Sequence, residues 1–278
     1  MPTSATNEPT TRAARHAQRA AERVADRGVP APRPRPLVIA GAVVSALALA
    51  GSAASGLRGL EIAVVVLAAL VVAVGWPRLV GSPTPRGSSV VLAVTTVALG
   101  AALLAKGAEP LLEHVPAAVA AGIIAMCLHP LVQESARADL ARGLTGTALG
   151  ILVISCGAVL TSTVPHGASP VVIAGIALAV AALVDLLTER ARLVAWMLPV
   201  GMLVGGVAAV AAHWILDSGI EPWAALVGVL GAGVALSLRR ALSQQPAVDG
   251  VLGGVATGVA SVLVVGPLLH LISRLPIG

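Results

Sequence analysis

The chain has 278 residues and a formal net charge of +5; 57% of its residues are hydrophobic and only 11% are charged. An average soluble domain is roughly 45–50% apolar and about 25% charged, so this chain lacks the charged side chains that a water-facing surface requires. The composition therefore excludes an ordinary soluble globular protein. The apolar residues occur in separate runs of roughly 18–25 residues, the length that an α-helix needs to cross a bilayer. We therefore predict an integral membrane protein.

A polar arm precedes the first apolar run, which begins at Leu37. Arginines recur in the arm at three- and four-residue steps from Arg12 to Arg23, so a helix there would carry a basic stripe. The proline-rich part that follows is predicted to be an extended spacer. Two interpretations stay open: a tether to anionic lipids, or a tail that only enforces orientation. The chain is thus divided into this arm, residues 1–36, and a transmembrane bundle, residues 37–278.

The apolar runs predict an all-α fold, a polytopic transmembrane helix bundle with about nine spans. Short polar links that contain glycine, proline and serine separate the runs. The count falls to eight if one run is re-entrant. The predicted spans are residues 37–55, 60–77, 88–106, 111–132, 144–164, 170–187, 193–215, 222–238 and 250–273.

The basic residues predict the orientation of this bundle. Nine spans divide the connecting segments into two alternating sets, and basic residues favour one set by eight to three. Because loops rich in arginine and lysine stay in the cytoplasm, we predict that the N-terminus is inside and the C-terminus outside, in a bacterial plasma membrane. The predicted cytoplasmic set carries Arg78, Arg86, Arg137, Arg142, Arg190, Arg192, Arg239 and Arg240; the outer set carries Arg58, Lys106 and Arg274.

The tryptophans give an independent indication of the span ends. All four fall where a predicted span meets the membrane surface, and this is the depth that an amphipathic indole ring prefers. We therefore expect an interfacial belt made of Trp76 and Trp196 on the cytoplasmic side and Trp214 and Trp223 on the outer side.

Small residues and prolines predict how the spans pack and bend. Glycines four residues apart within apolar runs allow helices to approach closely, so these pairs predict a tight bundle. Prolines inside spans are expected to kink a helix or break its hydrogen bonding. The glycine pairs are Gly146/Gly150, Gly201/Gly205 and Gly254/Gly258, and the prolines are Pro116, Pro199 and Pro267.

Ionisable residues near the predicted cytoplasmic face are candidates for function. The central parts of the predicted spans contain no Asp, Glu, Lys or Arg, which argues against a transporter coupled to a buried ion site. The nearest ionisable side chains are His129 in the fourth span and Asp185 in the sixth. The alternative is that both are interfacial, with Asp185 facing Arg190 and Arg192.

Histidines and carboxylates also collect on the predicted outer face. His213 and Asp217 are four residues apart, so they share one helical face if the seventh span continues through Asp217. A histidine and a carboxylate at that spacing can bind a divalent metal or sense pH. His114 and His270 fall on the same predicted face, and the four residues together form a speculative metal cluster.

Sequence signatures of enzymes are absent, and we predict no cofactor. There is no Walker loop, nucleophile elbow or paired glycine-rich nucleotide motif. A lipid-modifying enzyme would need Glu134, Asp139, Asp185 and Glu189 to gather around one cavity. Nucleic-acid binding is not predicted, because the absence of Phe and Tyr removes the usual stacking platforms.

Two segments carry a resemblance to a known group of proteins. They are Gly75-Trp-Pro-Arg-Leu-Val-Gly-Ser-Pro-Thr-Pro-Arg-Gly-Ser-Ser and the stretch 129–146, which ends in Leu144-Thr-Gly. Both resemble an uncharacterised actinobacterial family of polytopic membrane proteins that is loosely described as permease-like. The resemblance implies a location in the plasma membrane and no particular substrate, and it assigns no functional residues.

Three functional hypotheses follow. The first is a permease or transporter-like protein for a small molecule, which the span count and the short loops favour. The second is a non-catalytic scaffold in cell-envelope assembly that acts through the arm and loops. The third is an intramembrane enzyme that modifies lipids. The lipid bilayer is the one partner that all three share; protein partners and oligomeric state are not predicted.

Overall fold

The computed structural model of the protein describes residues 35–105, 110–132, 139–163, 169–189, 196–217, 219 and 221–275. Within these ranges the chain is helical and contains no β-strand, which confirms the predicted all-α class. These residues belong to one compact unit, Pro34–Gly278. The predicted arm lies outside the described residues, apart from Arg35 and Pro36.

The α-helices follow one another along the chain with short connections. In the described part of the chain, three segments of 3₁₀-helix accompany them: Leu160–Ser162 after α5, Val184–Glu189 after α6, and Pro246–Asp249 between α8 and α9. The α-helices are α1 (Pro36–Ala54), α2 (Arg58–Leu79), α3 (Pro85–Ala105), α4 (Val115–Val132), α5 (Leu140–Val159), α6 (Pro170–Leu183), α7 (Met197–Asp217), α8 (Pro222–Leu242), α9 (Val251–Leu263) and α10 (Gly266–Ile272).

Among the described residues, eight helical segments are long and apolar enough to cross a membrane. In this count α5 and α6 include their 3₁₀ continuations, and α9 and α10 form one segment. The protein is therefore a multi-pass integral membrane protein. The remaining predicted span corresponds to α4, whose apolar part is the shorter segment Val115–Leu131. Its 18 residues give a length of about 27 Å, close to the hydrocarbon thickness of about 30 Å.

Helix α4 runs back along the length of α3. Near its end the His129 Nε2 atom lies 3.2 Å from the Oγ1 atom of Thr84, which directly precedes the start of α3. Midway along α4, a Cβ on Gly122 would overlap the side chain of Thr95 in α3. Since α3 is a full-length span, α4 returns the chain to the level where α3 began. This geometry agrees with nine crossings and not with a re-entrant α4.

Helices α1, α2, α6 and α9 form the centre of the bundle. Helix α1 packs against α6 and α9, and α2 also packs against α9. Helices α3, α4 and α5 lie on the α2 side, while α7 and α8 pack against each other and against α6. Ile173 and Leu263 are fully buried, whereas Val44 is 67% and Leu67 is 62% exposed. An outward apolar surface of this kind would be an aggregation liability in water and suits contact with lipid.

The predicted glycine pairs lie where helices approach most closely. A Cβ on Gly258 of α9 would overlap the Val38 carbonyl oxygen and the Ala42 nitrogen of α1. A Cβ on Gly205 of α7 would stand 2.7 Å from the Gly228 carbonyl oxygen of α8. At Gly205 and Gly258 the prediction of close helix packing is confirmed, because a side chain there would force two backbones apart. At Gly146, Gly150 and Gly201 a Cβ would meet only side chains of neighbouring helices.

Of the three prolines, only Pro267 interrupts a span. Helix α9 ends at Leu263 and α10 begins at Gly266, so the last predicted span is broken just before this proline. Pro116 and Pro199 instead lie in the first turns of α4 and α7. The expected kink is wrong for these two residues, because the first turn of a helix does not need the N–H that proline lacks.

The expected tryptophan belt is half wrong. Trp196 and Trp214 are 66% and 61% exposed, as residues in contact with the membrane interface would be. Trp76 is buried, and its Nε1–H donates to the Gly146 carbonyl oxygen at 2.9 Å. Trp223 is also buried inside the bundle. Position at the end of a span thus does not decide whether an indole ring faces lipid or protein.

Long-range side-chain bonds join helix ends that the predicted alternation places on the same side. Arg35, before α1, donates to Asp249 Oδ1 and to the Ser243 carbonyl oxygen, each at 2.8 Å, in the connection between α8 and α9. On the opposite side, Arg58 at the start of α2 donates to the Leu103 carbonyl oxygen at 3.3 Å. These contacts agree with spans of alternating direction. Which side faces the cytoplasm stays a prediction.

Candidate functional site

Most hydroxyl groups within the spans bond to their own helix. Thr95 Oγ1 donates to the Val91 carbonyl oxygen at 2.8 Å, and Ser155 Oγ donates to the Ile151 carbonyl oxygen at 2.8 Å. These side chains satisfy themselves locally and do not identify a site. The polar groups that connect different helices are therefore the informative ones.

A buried ion pair connects three segments near one end of the bundle. The Arg239 Nε–H of α8 donates to Asp185 Oδ2 at 2.7 Å, in the 3₁₀-helix that follows α6. The Arg239 Nη1–H donates to Ser261 Oγ of α9 at 3.0 Å, and this hydroxyl donates to the Gly258 carbonyl oxygen at 2.6 Å. The side chain of Arg239 is only 4% exposed and that of Asp185 is 19% exposed. We call Asp185, Arg239 and Ser261 the ion-pair cluster.

Arg239 was missed as a buried residue because the eighth predicted span ends at residue 238. In the structure α8 continues through Arg239 to Leu242. The helical period of the sequence could have indicated that Arg239 lies on the buried face of α8. Ala232, Ala235 and Leu236 are fully buried, and Arg239 follows Ala235 by four residues on the same face.

The ion-pair cluster gives Asp185 a partner that the sequence did not predict. This carboxylate was expected to face Arg190 and Arg192, which lie outside the described residues. Within the described part of the chain it pairs with Arg239, an arginine assigned to a different predicted loop. Another Arg239 atom, Nη2, is buried and has no hydrogen-bond partner among these residues. In the part of the chain that the structure describes, the guanidinium therefore retains one unused nitrogen donor.

His129, the other candidate on this side, takes part in a separate small polar contact. Its Nε2 atom lies 3.2 Å from Thr84 Oγ1. Beside this pair lies a cavity of about 20 Å³, which Ser88 and Thr147 also line. That volume corresponds to about one water molecule. The His129 contact thus fits a hydrated polar junction between α3, α4 and α5, and it does not by itself form a substrate site.

Near the C-terminal end of α7, the side chain of His213 is buried and makes a polar contact. Its Nδ1 atom lies 3.0 Å from the Gly219 carbonyl oxygen, and its ring packs edge-on against Trp223 with ring centres 5.1 Å apart. The His213 Nε2 atom is buried and has no hydrogen-bond partner among the described residues. Asp217 Oδ2 lies 3.8 Å from this Nε2 atom, which confirms that both residues share one face of α7.

The other two members of the speculative outer cluster are placed differently. The His270 Nδ1 atom lies 2.9 Å from Ser162 Oγ, between α10 and the end of the α5 segment, and His114 is exposed in the turn before α4. Within the described part of the chain, no group of three or more His, Cys, Asp or Glu side chains is arranged to hold a metal ion. The structure therefore does not bring the four residues together as one metal site.

The carboxylates required for a lipid-modifying enzyme do not share one environment in the described part. Asp139 Oδ2 pairs with Arg142 Nη1 at 3.4 Å on the surface, whereas Asp185 pairs with the buried Arg239. Glu134 and the side chain of Glu189 lie outside the described residues. This geometry gives the enzyme hypothesis no support.

Comparison of the chain with protein-family models, with curated proteins and with solved structures gives no match. The resemblance to an actinobacterial permease-like family thus stays an expectation.

Proposed function

We propose that this integral membrane protein is a permease-like transporter of a small molecule in a bacterial plasma membrane. The ion-pair cluster is the polar contact on which transport depends. The observation that carries the proposal is the buried Arg239–Asp185 pair, which joins α8, α9 and the segment after α6. Ionisable residues inside a membrane bundle are costly and commonly mark transport pathways.

Stability alone gives little reason to keep such a pair. Replacing a buried ion pair with packed apolar residues is often neutral or stabilising by about 1–4 kcal/mol. The pair also sits on a segment suited to movement, since Asp185 belongs to the six-residue 3₁₀-helix Val184–Glu189. Runs of 3₁₀-helix longer than about 3–4 residues are uncommon, and such stretches often mark hinges.

Arg239 supplies a contact for the transported molecule. Its Nη2 atom is buried and has no partner among the described residues, so a solute with a carboxylate, phosphate or carbonyl oxygen would satisfy it. A guanidinium binds carboxylate and phosphate more strongly than neutral acceptors, because the bond is charge-assisted. We therefore expect anionic solutes to be preferred.

The test is uptake of a defined solute mixture by liposomes that contain the purified full-length chain. The mixture holds amino acids, sugars, nucleosides and small carboxylates, and mass spectrometry measures each solute inside the liposomes. We expect at least one solute to enter faster than in protein-free liposomes. Arg239→Gln should lower the initial rate per mole of folded, reconstituted protein about tenfold or more, the size expected for loss of a hydrogen bond to a charged group.

Arg142→Gln is the matched control, because Arg142 pairs with Asp139 on the surface and its side chain is 66% exposed. Equal rates for wild type and both variants would refute the role of the ion-pair cluster. Uptake of no solute above protein-free liposomes would refute the transporter itself. Deletion of residues 1–30 should leave uptake intact, whereas a scaffold that acts through the arm would lose its partner.

A further inference from the structure

We infer that His213 and Asp217 form a binding site for a divalent transition-metal ion at the end of α7. This inference uses different residues from the ion-pair cluster and does not depend on the proposed function. Two atoms define the site: the buried His213 Nε2, which has no hydrogen-bond partner among the described residues, and Asp217 Oδ2, 3.8 Å away.

The hydrogen bond at Nδ1 decides which ring nitrogen of a neutral His213 carries the proton. A backbone carbonyl oxygen can only accept, so the contact between His213 Nδ1 and the Gly219 carbonyl oxygen at 3.0 Å requires a proton on Nδ1. The neutral ring then carries its lone pair on Nε2, which faces Asp217. Metal-binding histidines almost always donate their other N–H to a carbonyl or carboxylate in this way.

The distance between the two atoms distinguishes a metal from an ammonium group. A tetrahedral ion about 2.1 Å from both atoms would bring them about 3.4 Å apart. A tetrahedral ammonium that donates to both at about 2.8 Å would need them about 4.6 Å apart. The observed separation of 3.8 Å is closer to the metal geometry. Asp217 can supply the small shift, since its side chain is 34% exposed.

The electrostatics of the helix end also favour a cation. Asp217 is the last residue of α7, where the helix dipole places partial negative charge, and His213 lies one turn before it. One imidazole and one carboxylate in a tetrahedral site suit Zn²⁺, and Co²⁺ takes the same geometry. With two protein ligands the site differs from the four-residue cluster expected from the sequence.

Cobalt titration of the untagged full-length chain in detergent tests the inference, with calorimetry for affinity and tryptophan fluorescence for position. Trp223 packs directly on His213, so Co²⁺ bound there should quench its emission. Loss of second-shell partners of a metal site weakens binding about 10–100-fold, so removal of a ligand should weaken it at least about tenfold. We expect that loss in both His213→Gln and Asp217→Asn. Trp223→Phe should bind Co²⁺ normally and lose most of the quenching.

His270→Gln is the matched control, because His270 also has an Nδ1 contact but bonds to Ser162. This variant should bind Co²⁺ as the wild type does. Wild-type affinity and quenching in Asp217→Asn would overturn the inference; this variant changes a partly exposed helix end, so misfolding would not obscure the result. Equal loss of binding in His270→Gln and His213→Gln would also overturn it.

Discussion

At the scale of single residues, the Arg239–Asp185 pair is held in place by its surroundings. Arg239 also bonds to Ser261, so one guanidinium connects a carboxylate and a hydroxyl on two other segments. In a low-dielectric interior each charge depends on the other, because an uncompensated buried charge is far more costly than the pair. The two charges should therefore behave as one energetic unit.

We predict that Asp185→Asn destabilises the protein strongly. Removal of one partner from a buried pair costs about 3–5 kcal/mol, and the lower end applies because Asp185 is partly exposed. Asp185→Leu combined with Arg239→Met should restore most of the stability, since no charge remains buried. Unfolding in mixed micelles with an increasing fraction of a denaturing detergent measures these differences.

The control for this prediction is Asp139→Asn, which removes the exposed partner of Arg142. It should cost less than about 1 kcal/mol, as exposed pairs do. If the double variant is destabilised as much as Asp185→Asn or more, the two charges are not coupled and the prediction fails.

At the scale of helices, close backbone contact holds the centre of the bundle together. Lipid provides no hydrophobic drive for helices to associate, so van der Waals packing must do so. The contact of α9 with α1 depends on Gly258, where a Cβ would meet the backbone of Val38 and Ala42. The α7–α8 contact depends in the same way on Gly205 and Gly228.

We predict that Gly258→Ala loosens the contact between α1 and α9 and destabilises the fold by about 1–3 kcal/mol, the usual cost of overpacking. Gly51→Ala is the matched control, because Gly51 lies in α1 and a Cβ added there would have no neighbouring atom within 4 Å. In that open position alanine should be neutral or stabilising by up to about 1 kcal/mol. Thermal unfolding monitored by size-exclusion chromatography compares the variants, and an equal effect at both positions would contradict the packing argument.

At the scale of the whole molecule, the arrangement of polar contacts gives the bundle two ends. Arg35 bonds to Asp249 at one end, and Arg58 bonds to the Leu103 carbonyl oxygen at the other. Arginines concentrate on the connections of the first end. By the positive-inside rule, that end is predicted to lie in the cytoplasm.

We predict that a membrane-impermeant maleimide applied to intact cells labels Ser55→Cys and does not label Gln244→Cys. Both positions are exposed, and they lie in connections assigned to opposite sides. The background carries Cys127→Ser and Cys156→Ala, which remove the two native thiols. Labelling after cell disruption should reach both sites. The reverse pattern in intact cells would invert the topology.

The sequence predicted the helical bundle and the approximate spans well, but it predicted polar contacts poorly. His213 and Asp217 were predicted to share a face because their spacing lies within one helix. Trp76 and Arg239 were misplaced for a common reason. Because both lie near span ends, Trp76 was assigned to the membrane interface and Arg239 to a loop. Whether their side chains are buried depends on which neighbouring helix packs against that side of their own helix.

The sequence by itself determines that lipid surrounds most of this protein and which segments of the chain cross the bilayer. The length and apolarity of each run decide whether it crosses a bilayer, and these are local properties. The tertiary structure alone decided that Asp185 pairs with Arg239, 54 residues away, and that the buried His213 Nε2 has no hydrogen-bond partner among the described residues. Partners so far apart in sequence meet only through helix packing, and a single sequence of similar Val-, Ala- and Gly-rich helices does not specify which faces meet.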